Sequence, residues 1–163
     1  MPLEIERKFL LKNDNWRRYA DKGSAIKQGY LNSHIERTVR IRIINKGGII
    51  TIKGKTTGVT RKEFEYKIPL ADALELIKLC EKPIIEKTRY KIETETGLIW
   101  EIDEFSGQNT GLIIAEVELE QEHQSVIIPQ WIGKEVSDDP RYYNANLIQN
   151  PFENWGNPSK VGQ

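Results

Sequence analysis

Charged and apolar residues take turns along seven stretches of this chain, and that period of two is what most limits its fold. In "LEIERKF" (3–9), Glu4, Glu6 and Lys8 alternate with Leu3, Ile5, Arg7 and Phe9. Arg40 and Arg42 alternate with Val39, Ile41 and Ile43, and Thr51, Lys53 and Lys55 with Ile50 and Ile52. Glu63, Glu65 and Lys67 interleave with Phe64, Tyr66 and Ile68; Lys87, Arg89 and Lys91 with Thr88, Tyr90 and Ile92. Glu101 and Asp103 flank Ile102, and Glu116, Glu118 and Glu120 alternate with Val117 and Leu119. Successive side chains of a strand point to opposite sides, so each stretch offers one apolar face and one ionic face.

The spacing predicts strands near 3–11, 25–32, 36–45, 48–55, 61–69, 86–94, 98–104 and 111–120. "NKGG" (45–48), "ETETGL" (93–98) and "SGQNTG" (106–111) carry hairpin chemistry, which makes the strands they join antiparallel neighbours. Helical periodicity marks 14–21, 70–81 and 141–149, and Pro83 follows the second of these. With 163 residues the chain suits one domain, over 1–150, followed by a loosely held tail at 151–163. The class is mainly β with some helix (α+β): a closed or nearly closed antiparallel barrel with a few helices packed outside.

The signs of the charges are segregated by strand. Acids crowd the first and last strands, whereas 36–45, 48–55 and 86–94 are almost purely basic. An ordinary sheet with one wet face mixes Thr, Ser, Gln and Lys there. Like charges directly opposed across strands cost up to about 1 kcal/mol per pair, so a basic wall calls for an anion. Turned inward, the ionic face lines a hydrophilic tunnel; the apolar face then turns outward, for helices or a second subunit to cover. Guanidinium forks suit phosphate, and paired carboxylates suit Mg²⁺ or Mn²⁺, hard ions that take oxygen ligands. Glu4 and Glu6, and likewise Glu116 and Glu118, project from one side of a strand about 7 Å apart.

Other features exclude or divert. Lys+Arg and Asp+Glu both number 24, a balance that argues against non-specific binding to nucleic acid or to a membrane surface. Cys80 is the only cysteine, which rules out an internal disulfide. The charged opening strand is no signal peptide, and a cytoplasmic protein is expected. "GKTTG" (54–58) imitates the end of a phosphate-binding loop, but Ile49 stands where its leading glycine belongs. His34 and His123 lack ligand-like spacing, and the four tryptophans read as packing residues.

"EIERKF" resembles the ExExK signature of the CYTH family, the triphosphate tunnel metalloenzymes. The resemblance continues through "QGYL" (28–31), "TVRIRI" (38–43), "TIKGK" (51–55), "RKEFEY" (61–66), "EKTRY" (86–90), "WEIDEF" (100–105), "AEVELE" (115–120) and "WIGKEVSDDPRYYNANL" (131–147). It implies an eight-stranded tunnel and metal-dependent hydrolysis of a linear triphosphate, inorganic tripolyphosphate first. Thiamine or nucleoside triphosphatase, adenylate cyclase and a non-catalytic polyphosphate binder stand as alternatives. It further implies that Lys8, Arg40, Arg42, Lys53, Lys55, Lys87 and Arg89 bind phosphate, with Lys134 at one tunnel mouth. Glu4, Glu6, Glu116 and Glu118 match metal-binding acids, and Glu63, Glu65 and Asp103 further lumen acids that place a second ion or the attacking water. Lys8, Glu65, Lys87 and Arg89 are the expected catalytic set, Mg²⁺ or Mn²⁺ the cofactor, and a homodimer the assembly.

Overall fold

Asn45 and Lys46 show how alternation becomes a sheet. Both have positive φ (51° and 64°), and Ile44 pairs directly with Gly47, so these two residues alone turn the chain. Left-handed conformation at both positions matches the twist of a two-residue hairpin. The structure, a computed structural model, describes residues 2–155. Its strands are β1 (Leu3–Leu11), β2 (Ser24–Asn32), β3 (Arg37–Ile44), β4 (Gly47–Gly54) and β5 (Thr60–Ile68), then β6 (Ile85–Glu93), β7 (Ile99–Phe105), β8 (Ile113–Glu118) and β9 (Ile132–Glu135). Two α-helices, α1 (Leu70–Lys78) and α2 (Asn144–Leu147), complete the set.

The first eight strands form a closed antiparallel barrel in the order β5-β4-β3-β2-β6-β7-β8-β1, with β1 returning to β5. That seam pairs Leu3 with Lys62, Glu4 with Arg61 and Ile5 with Thr60. Further along, β1 pairs instead with β9, at Phe9↔Glu135 and Leu11↔Ile132. β9 is absent from the expected strands because four residues, one of them Gly133, carry too little alternation to register.

The expected helices all shorten. Over 14–21 only a 3₁₀ turn forms, Asn15–Arg18, anchored by the single buried residue Trp16. α1 stops at Lys78 and seats Ala73 and Ile77 on Ile41 and its neighbours, outside the barrel. A Cβ at Gly48 would stand 2.5 Å from that of Ala73, so the glycine lets α1 approach β4. The stretch 141–149 divides into a 3₁₀ turn, Pro140–Tyr142, and α2.

Partners across a ladder share a face, so the inward set follows from the register. Gln28 opposes Arg42, Lys87 opposes Phe105, Asp103 opposes both Arg89 and Ile114, and Glu116 opposes Lys8. The outward face of β1, β6, β7 and β8 is covered by Trp16, Leu119 and Trp131, which pack with Phe9, Trp100, Ile102 and Val117. On β4 and β5 a strip of Ile52 (39% exposed), Phe64 (37%) and Tyr66 (56%) stays bare.

α2 does not flank the barrel. Leu147 and Ile148, with Tyr142 and Val136, pack on Tyr30, Ile85, Phe105 and Ile114, which share the inward face with the charges. The C-terminal segment therefore stoppers one end of the lumen. Of the expected loose tail, residues 151–155 continue this plug. The Phe152 N–H donates to Asn109 Oδ1 at 2.9 Å, and the Trp155 ring meets those of Tyr142 and Phe152 edge-on. Residues 156–163 lie outside the described residues. Among the described residues no helix is long and apolar enough to cross a membrane.

Candidate active site in the barrel lumen

Because β1, β3, β4, β6 and β8 each direct alternate side chains inward, their charges meet in one cavity of about 90 Å³. Lys8, Arg40, Arg42, Lys53, Lys87 and Arg89 line it, together with Glu4, Glu6 and Glu116. Ile35, Thr56 and Gly58, in the loops after β2 and β4, border it as well, as does Asn144 of α2.

Each cation is tied differently. Lys53 Nζ donates to both oxygens of Glu4 at 2.9 Å and lies 3.3 Å from Glu63. Lys8 Nζ donates to Glu116 at 3.3 Å and stands 3.8 Å from Glu6. Arg89 grips Asp103 through two nitrogens at 2.7 and 2.9 Å and reaches Glu101 at 3.4 Å. Lys87 meets Asp103 Oδ2, an oxygen it shares with Arg89, at 2.6 Å. Arg40 donates to Thr51 Oγ1 at 3.1 Å and lies 3.6 Å from Glu65, while its buried Nε has no hydrogen-bond partner among the described residues. Arg42 donates its Nε to Gln28 at 2.8 Å.

These contacts set the protonation of the lumen. Burial, then the neighbouring Glu116 and Glu4, pushes the Glu6 carboxyl up to about 8. Burial and a hydrogen bond shared with Glu4 raise Glu63 to about 7. Burial would raise Asp103 too, but Lys87 and Arg89 outweigh it and hold Asp103 at about 2. Lys8, likewise opposed by burial, lowers Glu116, and Lys53 lowers Glu4. Burial, reinforced by Arg40 and Arg89, brings Arg42 down to about 9.

The acids fit a hard divalent cation by chemistry. Glu4, Glu6 and Glu116 offer only oxygen, and their mutual repulsion, which keeps a proton on Glu6, is what a cation would relieve. Among the described residues, however, no three acids already stand in metal-holding geometry. Glu4 is held by Lys53 and Glu116 by Lys8.

Not every expected site residue enters this constellation. Lys55 lies past the end of β4, exposed and 4.0 Å from Glu36. Lys134 is exposed on β9. Glu118 is exposed at the end of β8, and Asp103, fully buried, faces the cations of β6 rather than the other acids. Conversely, Gln28, Arg61, Tyr143 and Asn144 border the cavity or its bonds without having been anticipated. Gln28 had a signal, as an uncharged polar side chain in phase with Tyr30 on a strand beside Arg42. Asn144 lay in the helical period of 141–149 and in the motif of 131–147, neither of which points its side chain at the lumen cations.

A closed barrel with an ionic lumen of this kind defines a class, and residues 2–143 match the model of the CYTH domain. The chain belongs to the CYTH domain family. It is 48% identical over 156 residues to the inorganic triphosphatase of Acetivibrio thermocellus, covering 95% of this chain and 99% of that protein. Identity to the inorganic triphosphatase of Nitrosomonas europaea is 33% over 151 residues, 88% of this chain and 95% of the relative. Among solved structures, that of an inorganic triphosphatase superposes with a TM-score of 0.64 at 32% identity, over 91% of this chain and 95% of the other. A Hippeastrum protein with a dominant triphosphatase activity shares the fold, with a TM-score of 0.55 at 14% identity over 74% and 80% of the two chains.

Proposed function

We propose that this chain hydrolyses inorganic tripolyphosphate to diphosphate and orthophosphate, using Mg²⁺ or Mn²⁺. One observation carries the reading: Lys8, Arg40, Arg42, Lys53, Lys87 and Arg89 converge on one cavity that also holds Glu4, Glu6 and Glu116. Two relatives named inorganic triphosphatase, aligned over nearly their whole length, support it. The catalytic unit is residues 1–150, with the cytoplasm as its place of action and a homodimer, joined at the bare strip on β4 and β5, as its assembly.

Release of a terminal phosphoryl group needs in-line attack by water and neutralisation of charge on the phosphate oxygens, with little covalent help. Arg40, Arg42, Lys53 and Lys87 bind and align the phosphate chain, and Lys8 and Arg89 stabilise the leaving diphosphate as it takes the electron pair of the broken P–O bond. Lys8 and Lys53 leave Glu116 and Glu4 for phosphate oxygens, which frees those carboxylates, with Glu6, to hold the cation. When bound, that cation supplies Lewis-acid neutralisation of the phosphate oxygens. Glu65, beside Thr51 and Arg40, orients the attacking water. Glu63 and Glu118 extend the acid cluster, Asp103 anchors Lys87 and Arg89, and Lys55 and Lys134 act outside the lumen in drawing anions to it.

The test is purified protein with Mg²⁺ or Mn²⁺, given tripolyphosphate, ATP and thiamine triphosphate separately. Orthophosphate released fastest from tripolyphosphate is the expected result. Cyclic AMP with pyrophosphate from ATP would make it a cyclase; tight binding without turnover would leave a binder.

A further inference from the structure

Asn144, the first residue of α2, has no part in the mechanism above, yet two buried donors converge on it. Its Oδ1 accepts from Lys87 Nζ at 2.8 Å and from Gln28 Nε2 at 2.9 Å. Gln28, 0% exposed, turns its own Oε1 to Arg42 Nε at 2.8 Å. A chain of hydrogen bonds thus runs Lys87–Asn144–Gln28–Arg42, joining cations of β6 and β3 through a side chain brought in by the stopper. Lysine and arginine can only donate, so the two ends fix the orientation of both amides between them. Arg42 must face Gln28 Oε1, which presents the Gln28 amide nitrogen to Asn144, whose oxygen then serves both neighbours.

The choice of neutral acceptors matters. Arg89 and Lys87 share the carboxylate of Asp103, which cancels part of their charge. Arg42 is held by an amide instead, and its terminal nitrogens have no hydrogen-bond partner among the described residues. An amide fixes a cation in place while leaving its full charge for an incoming anion. Without that hold, Arg42 would retreat from the like charges of Arg40 and Arg89, and the flexible stem of Lys87 would follow Asp103 alone.

We propose that Asn144 is a positioning residue, holding Lys87 directly and Arg42 through Gln28 where both meet the phosphate chain. The inference rests on the lumen being a phosphate-chain site. It couples α2, an element outside the barrel wall, to the tunnel's grip on its substrate.

The experiment is calorimetric titration of metal-free protein with tripolyphosphate, paired with phosphate release from the same preparations. Asn144→Leu should weaken tripolyphosphate binding about tenfold in the native background. In a Lys87→Met/Gln28→Leu background the same change should cost less than about twofold, because the residues it acts through are gone. An equal loss in both backgrounds, or none in the native one, overturns the proposal; a stopper merely loosened would give the former. Should Asn144→Leu not fold, Gln28→Leu with and without Arg42→Ala makes the same cycle from the wall, and additive losses there overturn it. Native protein that binds tripolyphosphate without hydrolysing it overturns the proposed hydrolysis and leaves Asn144 to be judged by binding. Native protein that does not bind overturns both.

Discussion

The two ends of the lumen are made by the same strands in the same phase, yet they are chemically opposite. Along β6 the inward positions run Ile85, Lys87, Arg89; along β7 Phe105, Asp103, Glu101; along β8 Ile114, Glu116, Glu118; along β1 Leu10, Lys8, Glu6. Each begins apolar at the stoppered end and turns ionic toward the opposite end. Alternation decides which side chains enter the barrel, but only their identity decides whether an end is solid core or binding site. The apolar end stabilises by excluding water from Leu147 and Phe105. The ionic end gives up stability, since burying charges costs free energy that their mutual ion pairs offset only in part.

If that contrast holds, changes at the ionic end should cost chemistry and changes at the apolar end should cost folding. Glu6→Gln should reduce phosphate release at least about 100-fold and weaken Mg²⁺ binding by calorimetry, with the melting midpoint kept. An unimpaired variant with normal metal dependence would remove Glu6 from the site. Arg42→Ala should raise KM for tripolyphosphate about tenfold while metal affinity changes far less; equal modest losses would betray a folding defect and blur the two ends together. Asp103→Asn tests the boundary between them. It removes the carboxylate that buried Lys87 and Arg89 share and leaves Arg89 only Glu101, at about 3–5 kcal/mol in denaturant unfolding. Tripolyphosphate should restore more stability to this variant than to the native protein. Leu147→Ala should lower stability by about 2–5 kcal/mol through the cavity it leaves in the stopper. If its effect appeared in KM alone, the plug would be part of the site and not of the core. The smallest effect belongs outside both ends: Phe64→Ser on the bare strip should change unfolding free energy by no more than about 0.5 kcal/mol in the monomer. Sedimentation of that variant as a monomer, beside a native dimer, would place the subunit contact there.

The comparison also separates what the sequence discloses from what it conceals. A period of two is a backbone rule, so the eight barrel strands and the inward phase of Glu4, Lys8, Arg42 and Lys87 are legible from residue order alone. The stopper is partly legible as well, since Leu10, Ile85, Phe105 and Ile114 share the charges' phase and need an apolar partner inside. What supplies that partner is not: α2 is four residues long, and its position depends on tertiary packing around Tyr142 and Leu147 that no local pattern encodes. Lys55 shows the opposite failure. Its phase matches Lys53, but β4 ends at Gly54, and the rule lapses where the ladder does. The contacts of Asp103 are hidden for a related reason. Phase says that it points inward, but only the register, Asp103 opposite Arg89, says which charges it meets.

Plugging one end with Leu147 and Ile148 turns the barrel into a cul-de-sac, and traffic in a cul-de-sac has an order. Whichever fragment of a cleaved chain sits deeper must wait for the shallower one to depart, so the two products leave in sequence by the way the substrate came. The slower departure would then set the pace of turnover, and the deeper product, added alone, would act as a competitive inhibitor.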